Sequence, residues 1–230
     1  MKNLNKLYLI PGAFFLLACV LDLGGHLAGI AVHDVVKGAL MSLLCATTIA
    51  YALPRKPDAR CLGLLVWAQL AGLTGDLLLQ GSGFLLFVSG MVAFLAGHVL
   101  YISLLGGRSW KGLGWKVWVP SLIVMAALTF LLIRAIGVSA DFFAPMLVYG
   151  FVLLLLIFSA LCGVVRLKGL VWWVLLGAAV LFTTSDMLIA IRKFGGPNTG
   201  LMAFAVMSTY LAAQALLAWG CLKLICKSNE

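Results

Sequence analysis

Five side-chain types able to move protons or hold an anion occur inside otherwise apolar stretches of this chain. Asp76 and Asp186 are the carboxylates, His98 the imidazole, Tyr149 and Tyr210 the phenols, Gln214 the amide and Ser185 the hydroxyl. Two carboxylates are suited to acid–base work. Where like charges lie close in a low-dielectric site, one group keeps its proton while the other ionises, giving an acid and a base. The bland alternative is that both are helix-end anchors facing lipid headgroups. No HExxH, GxSxG or phosphate-binding loop is present, and the three histidines show no metal-ligand spacing, so neither a metal nor a cofactor is expected.

The elements that must position these groups follow from composition. Of 230 residues, 64% are apolar and 10% charged, and mean hydropathy is +1.15. Soluble domains run near 45–50% apolar and about 25% charged. A soluble enzyme, a disordered tail and a disulfide-stapled secreted domain are excluded. Backbone groups in lipid must be satisfied within the segment, and no alternating strand pattern occurs, so the expected fold is an all-α integral membrane protein. Eight apolar segments are read, at about 7–24, 35–53, 61–80, 84–105, 116–136, 142–165, 169–191 and 200–224, forming one polytopic domain over 1–230. Pro54-Arg55-Lys56-Pro57, Gly81-Ser82-Gly83, Gly106-Gly107-Arg108 and Gly195-Gly196-Pro197-Asn198 punctuate them. The N-terminal segment ends Leu17-Ala18-Cys19 after Lys2 and Lys6, in the manner of a lipoprotein signal, but its apolar run continues through Leu21 and reads as an uncleaved span.

The net charge of +9 belongs to short loops rather than to a nucleic-acid surface. With the N-terminus inside, Lys2, Lys6, Arg55, Lys56, Arg60, Arg108, Lys111, Lys116, Arg166, Lys168, Lys223 and Lys227 fall on the inner side. Only Lys37, Arg134, Arg192 and Lys193 fall outside. Both termini are therefore expected in the cytoplasm. The short loops and the lack of targeting extensions suggest a bacterial inner membrane. The six cysteines form no CxxC and read as unpaired apolar residues.

Thr74-Gly75-Asp76-Leu77-Leu78-Leu79 matches Thr184-Ser185-Asp186-Met187-Leu188-Ile189 at an offset of 110, and Phe94 and Phe204 share it. Four spans per unit make this a candidate parallel 4+4 repeat. Counted from the predicted span ends, both aspartates lie about 6–8 Å below the outer boundary. His98 falls near the midplane, roughly 12–15 Å deeper than Asp76, which sets it apart from direct contact with the aspartates. It reads equally as an interhelical hydrogen-bonder or as a proton relay. Gln69, Asp76 and Gln80 form a polar stripe on one helix. Lys37, near an outer helix end, can bind a lipid phosphate or simply snorkel to water. Arg192-Lys193 reads as an interface marker.

The same positions carry a resemblance. Gly75-Asp76, then Phe87-x-x-Gly90-x-x-x-Phe94-x-x-Gly97-His98-x-x-Tyr101, resembles the signature of the YhhN-type lysoplasmalogenase family. So do Gly177-Ala178-x-x-Leu181-Phe182-x-x-Ser185-Asp186, Tyr210-x-x-x-Gln214, and Tyr149 after Pro145. One departure is Gly38 after Lys37, where the family usually shows Lys-Pro. The resemblance implies an eight-span membrane hydrolase that cleaves the vinyl ether of lysoplasmalogens to a fatty aldehyde and glycerophospho-ethanolamine or -choline, with no cofactor. It implies Asp76 and Asp186 as the acid/base pair and His98 as a tuning or relay group. Tyr149, Ser185, Tyr210 and Gln214 would position water or the ether oxygen, and Lys37 would hold the phosphate. The expected partners are a lysophospholipid within the bilayer and the membrane lipids. The competing class is a transporter or lipid-binding protein built around the same polar cluster.

Overall fold

The computed structural model describes residues 6–29, 32–197 and 199–226, with the side chains of 32–35 and 37 outside that description. Eight helices follow one another: α1 (Leu9–Ala28), α2 (Val32–Ala52), α3 (Ala59–Gln80), α4 (Phe84–Ser109), α5 (Trp115–Ile136), α6 (Ala140–Arg166), α7 (Leu170–Lys193) and α8 (Gly200–Cys226). There is no strand among the described residues. All but α2 are long and apolar enough to cross a membrane, counted over the described residues. Their outward faces carry Phe14, Leu16, Val20, Leu85, Ile123, Leu131, Val165 and Trp173, all exposed. In water that surface would be a severe liability; against lipid tails it costs nothing.

Three of the predicted breaks fall between helices, at Pro54-Arg55-Lys56-Pro57, Gly81-Ser82-Gly83 and the described part of Gly195–Asn198, but Gly106-Gly107-Arg108 lies inside α4, which runs on to Ser109. Asp58 caps α3, its carboxylate accepting from the Cys61 amide at 2.8 Å. Pro54 lies in a 3-10 turn after α2. Gly137 ends α5 at φ 77°, a conformation that a Cβ would strain.

Helices that follow one another pack together except α4 and α5, with the α3/α4 and α7/α8 hairpins the most extensive, and α4 packs on α6 instead. Close approach depends on glycine. A Cβ on Gly97 of α4 would stand 3.1 Å from the Ala68 carbonyl of α3, and one on Gly75 of α3 would stand 2.7 Å from the Phe94 ring. On the far side of the bundle, Trp172 of α7 lies over Gly163 of α6, where an added Cβ would sit 1.9 Å from the indole. At the same end Arg166 donates to the Ser109 carbonyl at 2.7 Å and to the Lys111 carbonyl at 2.5 Å, tying the end of α6 to the α4–α5 loop. These contacts hold α3, α4, α6, α7 and α8 around one buried polar cluster.

Candidate active site

Each of the two aspartates receives a hydrogen bond from a tyrosine on a different helix. Tyr149 of α6 donates to Asp186 Oδ2 at 2.6 Å. Tyr210 of α8 donates to Asp76 Oδ2 at 2.7 Å. All four side chains are buried. The two carboxylates are near enough for their charges to repel each other. The two tyrosines are not equivalent under the 110-residue offset, so each aspartate has its own kind of support.

Behind Asp76 the donors line up in one direction. Tyr101 donates to Gln214 Oε1 at 3.0 Å, Gln214 Nε2 reaches the Tyr210 oxygen at 3.4 Å, and Tyr210 donates to Asp76. Tyr210 and Gln214 are four apart on α8 and share a face, which is why a single helix supplies both. A chain of donors ending on a carboxylate stabilises negative charge there. Gly72 makes room for it, since a Cβ at that position would stand 3.1 Å from Gln214 Nε2.

Asp186 has His98 instead. The His98 Nε2 lies 3.7 Å from Asp186 Oδ2, just beyond hydrogen-bond range. Neither ring nitrogen makes a hydrogen bond to another described residue, although the imidazole is 1% exposed. Its ring is boxed edge-on by Phe182 at 4.5 Å and Tyr149 at 5.7 Å. The expected separation of His98 from both aspartates is therefore corrected for Asp186. Asp186 stands seven residues from the end of α7, whereas Asp76 stands four from the end of α3. Depth counted from each helix's own end does not convert into one common height.

The remaining predicted residues divide. Ser185 donates to the Val206 carbonyl at 3.1 Å and ties α7 to α8. Gln69 leaves the polar stripe to donate to Thr48 of α2 at 2.9 Å, and Gln80 is exposed at the helix end. The Lys37 side chain lies outside the described residues; its neighbour Gly38 faces Leu77 of α3. Among the described residues no group of three or more His, Cys, Asp or Glu is placed to hold a metal ion.

Two adjacent cavities border Asp186 and a third lies against the second of them. A slot of about 60 Å³ between α5, α6 and α7 is lined by Thr129, Ile133, Leu153 and Met187 and ends at Tyr149 and Asp186. A cavity of about 30 Å³ shares Met146, Tyr149, Asp186 and Ala190 with that slot and continues to Leu79, Phe87 and Ile189. These last three also line a wider cavity of about 280 Å³ at the bundle end. The sequence does not announce this route, because its walls are ordinary apolar residues from five helices. Phe94 and Phe182, which both pack edge-on against Tyr210, are legible only as parts of the spaced motifs.

Residues 32–221 match the YhhN family. Over 154 residues the chain is 33% identical to the lysoplasmalogenase TMEM86A of Bos taurus, an alignment covering 62% of this chain and 57% of that protein. The chain thus spans little more than half the length of this curated relative. No solved structure matches.

Proposed function

This chain belongs to the YhhN family, and on that premise we propose that it is a multi-pass membrane hydrolase of lysoplasmalogens, with Asp76 and Asp186 as its acid/base pair. The observation that carries the reading is the pair of buried carboxylates, each held by a tyrosine, with Asp186 opening onto an apolar slot. The name of the bovine relative supports the substrate class.

Vinyl-ether cleavage asks for little more than these groups. A protonated carboxyl delivers its proton to the β-carbon, and the double bond's electrons leave an oxocarbenium ion at the α-carbon. A neighbouring carboxylate stabilises that cation and takes a proton from the attacking water, whose oxygen bonds to the α-carbon. The resulting hemiacetal passes its hydroxyl proton back through a carboxylate to the ether oxygen. The C–O bond then breaks into an aldehyde and an alcohol, and one water is consumed. Asp186 borders the slot and is assigned to contact the substrate. Asp76, backed by the donor chain from Tyr101, is assigned the charge-stabilising role. Tyr149, Tyr210 and Gln214 fix the carboxylates in place, and His98 positions Asp186 from below. Ser185 acts through the α7/α8 contact rather than on substrate. The hydrocarbon chain lies in the slot between α5 and α7.

The charge asymmetry supports cytoplasmic termini, and the similarly extensive α3/α4 and α7/α8 hairpins support the 4+4 arrangement. A bacterial inner membrane is the proposed setting. α3, α4, α7 and α8 run unbroken past the site, unlike the interrupted helices of many transporters.

The test is aldehyde release from a vinyl-ether lysophospholipid by detergent-purified protein, with Asp186→Asn as control and acyl and saturated-ether lysolipids as comparison substrates. Release confined to the vinyl ether and abolished by the substitution is the expected result. A folded protein inert toward all three lipids overturns the hydrolase reading in favour of transport or lipid binding.

A further inference from the structure

The wide cavity at the bundle end has a composition that the apolar route beneath it does not. His26 from α1 and Arg192 and Lys193 from α7 line it, together with Leu79, Phe87 and Ile189. His26, Leu79, Ile189, Arg192 and Lys193 stand near the C-terminal ends of their helices and Phe87 near the N-terminal start of α4, so the cavity is a mouth at one end of the bundle. We propose that this mouth is the subsite for the phosphate diester of the lysolipid headgroup, and that it sets the direction in which the substrate lies. The proposal rests on the hydrolase reading for its choice of lipid, but not for the existence of an anion site.

Three features favour it over interface anchoring alone. First, Arg192 and Lys193 share one concavity with His26, a residue of α1 far away in sequence, whereas anchors face outward singly. Second, Lys193 and His26 each have a support that orients them. Lys193 Nζ lies 4.6 Å over the Phe87 ring, and His26 Nε2 lies 3.8 Å from the buried Asp22 carboxylate. Arg192 adds a planar fork suited to two phosphate oxygens. Third, the spacing fits. Lys193 follows Asp186 by seven residues, two turns of α7, so it returns to nearly the same face about 10 Å further along. Six bonds separate phosphorus from the vinyl-ether α-carbon in a lysoplasmalogen, which extended span about 7–8 Å at bond lengths near 1.5 Å. A phosphate held by Lys193 from the side of the site therefore sets the vinyl ether beside Asp186. Leu79, Phe87 and Ile189 line both cavities, so the mouth lies directly against the cavity that borders Asp186.

The experiment measures equilibrium binding to the detergent-purified full chain of a saturated-ether lysophosphoethanolamine, which has no vinyl bond to cleave. The reference ligand is the alkylglycerol of equal chain length, which lacks the phosphate. Wild type should prefer the phospholipid by roughly 10–100-fold, the range for one or two charge-assisted contacts. Arg192→Gln with Lys193→Gln should erase most of that preference, and Arg192→Lys with Lys193→Arg should retain it. The single Arg192→Gln variant carries the test if the double variant does not accumulate, with a drop of several-fold expected. A preference unchanged in the Gln variants overturns the proposal, as does a preference that only Lys37→Gln removes. Inorganic phosphate that displaces the lysolipid as strongly as excess lysolipid does would make the mouth a soluble-phosphate site and overturn the lipid assignment. The two readings fail separately. A preference lost in the Gln variants without aldehyde release leaves the subsite and removes the hydrolase. Aldehyde release with an unaltered preference does the reverse.

Discussion

The Tyr210 hydroxyl meets Asp76 Oδ2 at 2.7 Å, joining α8 to α3 across 134 positions of sequence. Gln214 and Tyr101 extend that contact, so the phenol is held by its acceptor and steadied from behind. Replacing Tyr210 with Phe removes only an oxygen. A hydrogen bond to a charged acceptor contributes about 1.5–3 kcal/mol, so turnover should fall about 10–150-fold. Gln214→Leu should cost less, and should cost nothing further in the Tyr210→Phe background, because the chain has already been cut. Additive losses in the double variant would show that Gln214 acts by another route.

Asp76→Asn and Asp186→Asn keep the shape of the side chain and remove its ability to exchange a proton. Each should lower turnover by at least about 10²–10⁴-fold, the range for a lost acid or base, with an unchanged elution profile and melting temperature. Near-normal turnover in both purified variants would remove the proposed mechanism.

His98 touches Asp186 rather than the slot, so it acts through the carboxylate. His98→Gln removes the ring packed against the carboxylate and should lower kcat about ten-fold, which corresponds to about 1.4 kcal/mol, while KM for the lysolipid stays within two-fold. A rise in KM alone would assign His98 to the architecture of the slot.

The close-packed glycines give a stability series. Gly163→Ala drives a methyl into Trp172, and Gly75→Ala drives one into Phe94. Overpacking of this kind costs about 1–3 kcal/mol. Gly63→Ala, with open space around it, should be neutral or better. The melting temperatures of the three purified variants check the order.

Outside the membrane-spanning segments, the amide of Cys61 holds the Asp58 carboxyl below its ordinary value of 3.8. The sign follows from that depression. The cap's contribution is whole above the ordinary carboxylate value and is lost as pH falls through the lower folded value. Wild type should therefore lose part of its thermal stability on acidification below about pH 4, and Asp58→Asn should lose less over the same interval. Identical acid profiles would place the acid sensitivity elsewhere.

The helices were legible because lipid leaves few choices. The Pro54–Pro57 and Gly81–Gly83 breaks mark boundaries that the structure reproduces to within a few residues, whereas Gly106-Gly107 are absorbed into α4. Asp76 and Asp186 stood out because a charge in such a run is costly. What pairwise spacing does not carry is how far each helix end lies from a common plane. His98 counted as distant from the aspartates, yet α7 runs on to Lys193 and brings Asp186 down to the imidazole. The Tyr149–Asp186 and Tyr210–Asp76 pairings were equally hidden, since four helices must converge before either pair exists. Arg192 and Lys193 looked like punctuation because only the tertiary fold shows His26 across from them.

The adjacent cavities also bear on what leaves. On the proposed reading, cleavage beside Asp186 would divide a molecule whose halves rest in unlike surroundings. The aldehyde would occupy the slot bounded by α5, toward hydrocarbon, and the glycerophosphate half would occupy the cationic mouth, toward water. Each fragment's nearest exit is then the phase in which it dissolves. Hydrolysis would act as a sorting step, sending one product to the bilayer and the other to the aqueous side, with no hinge or gate required to tell them apart.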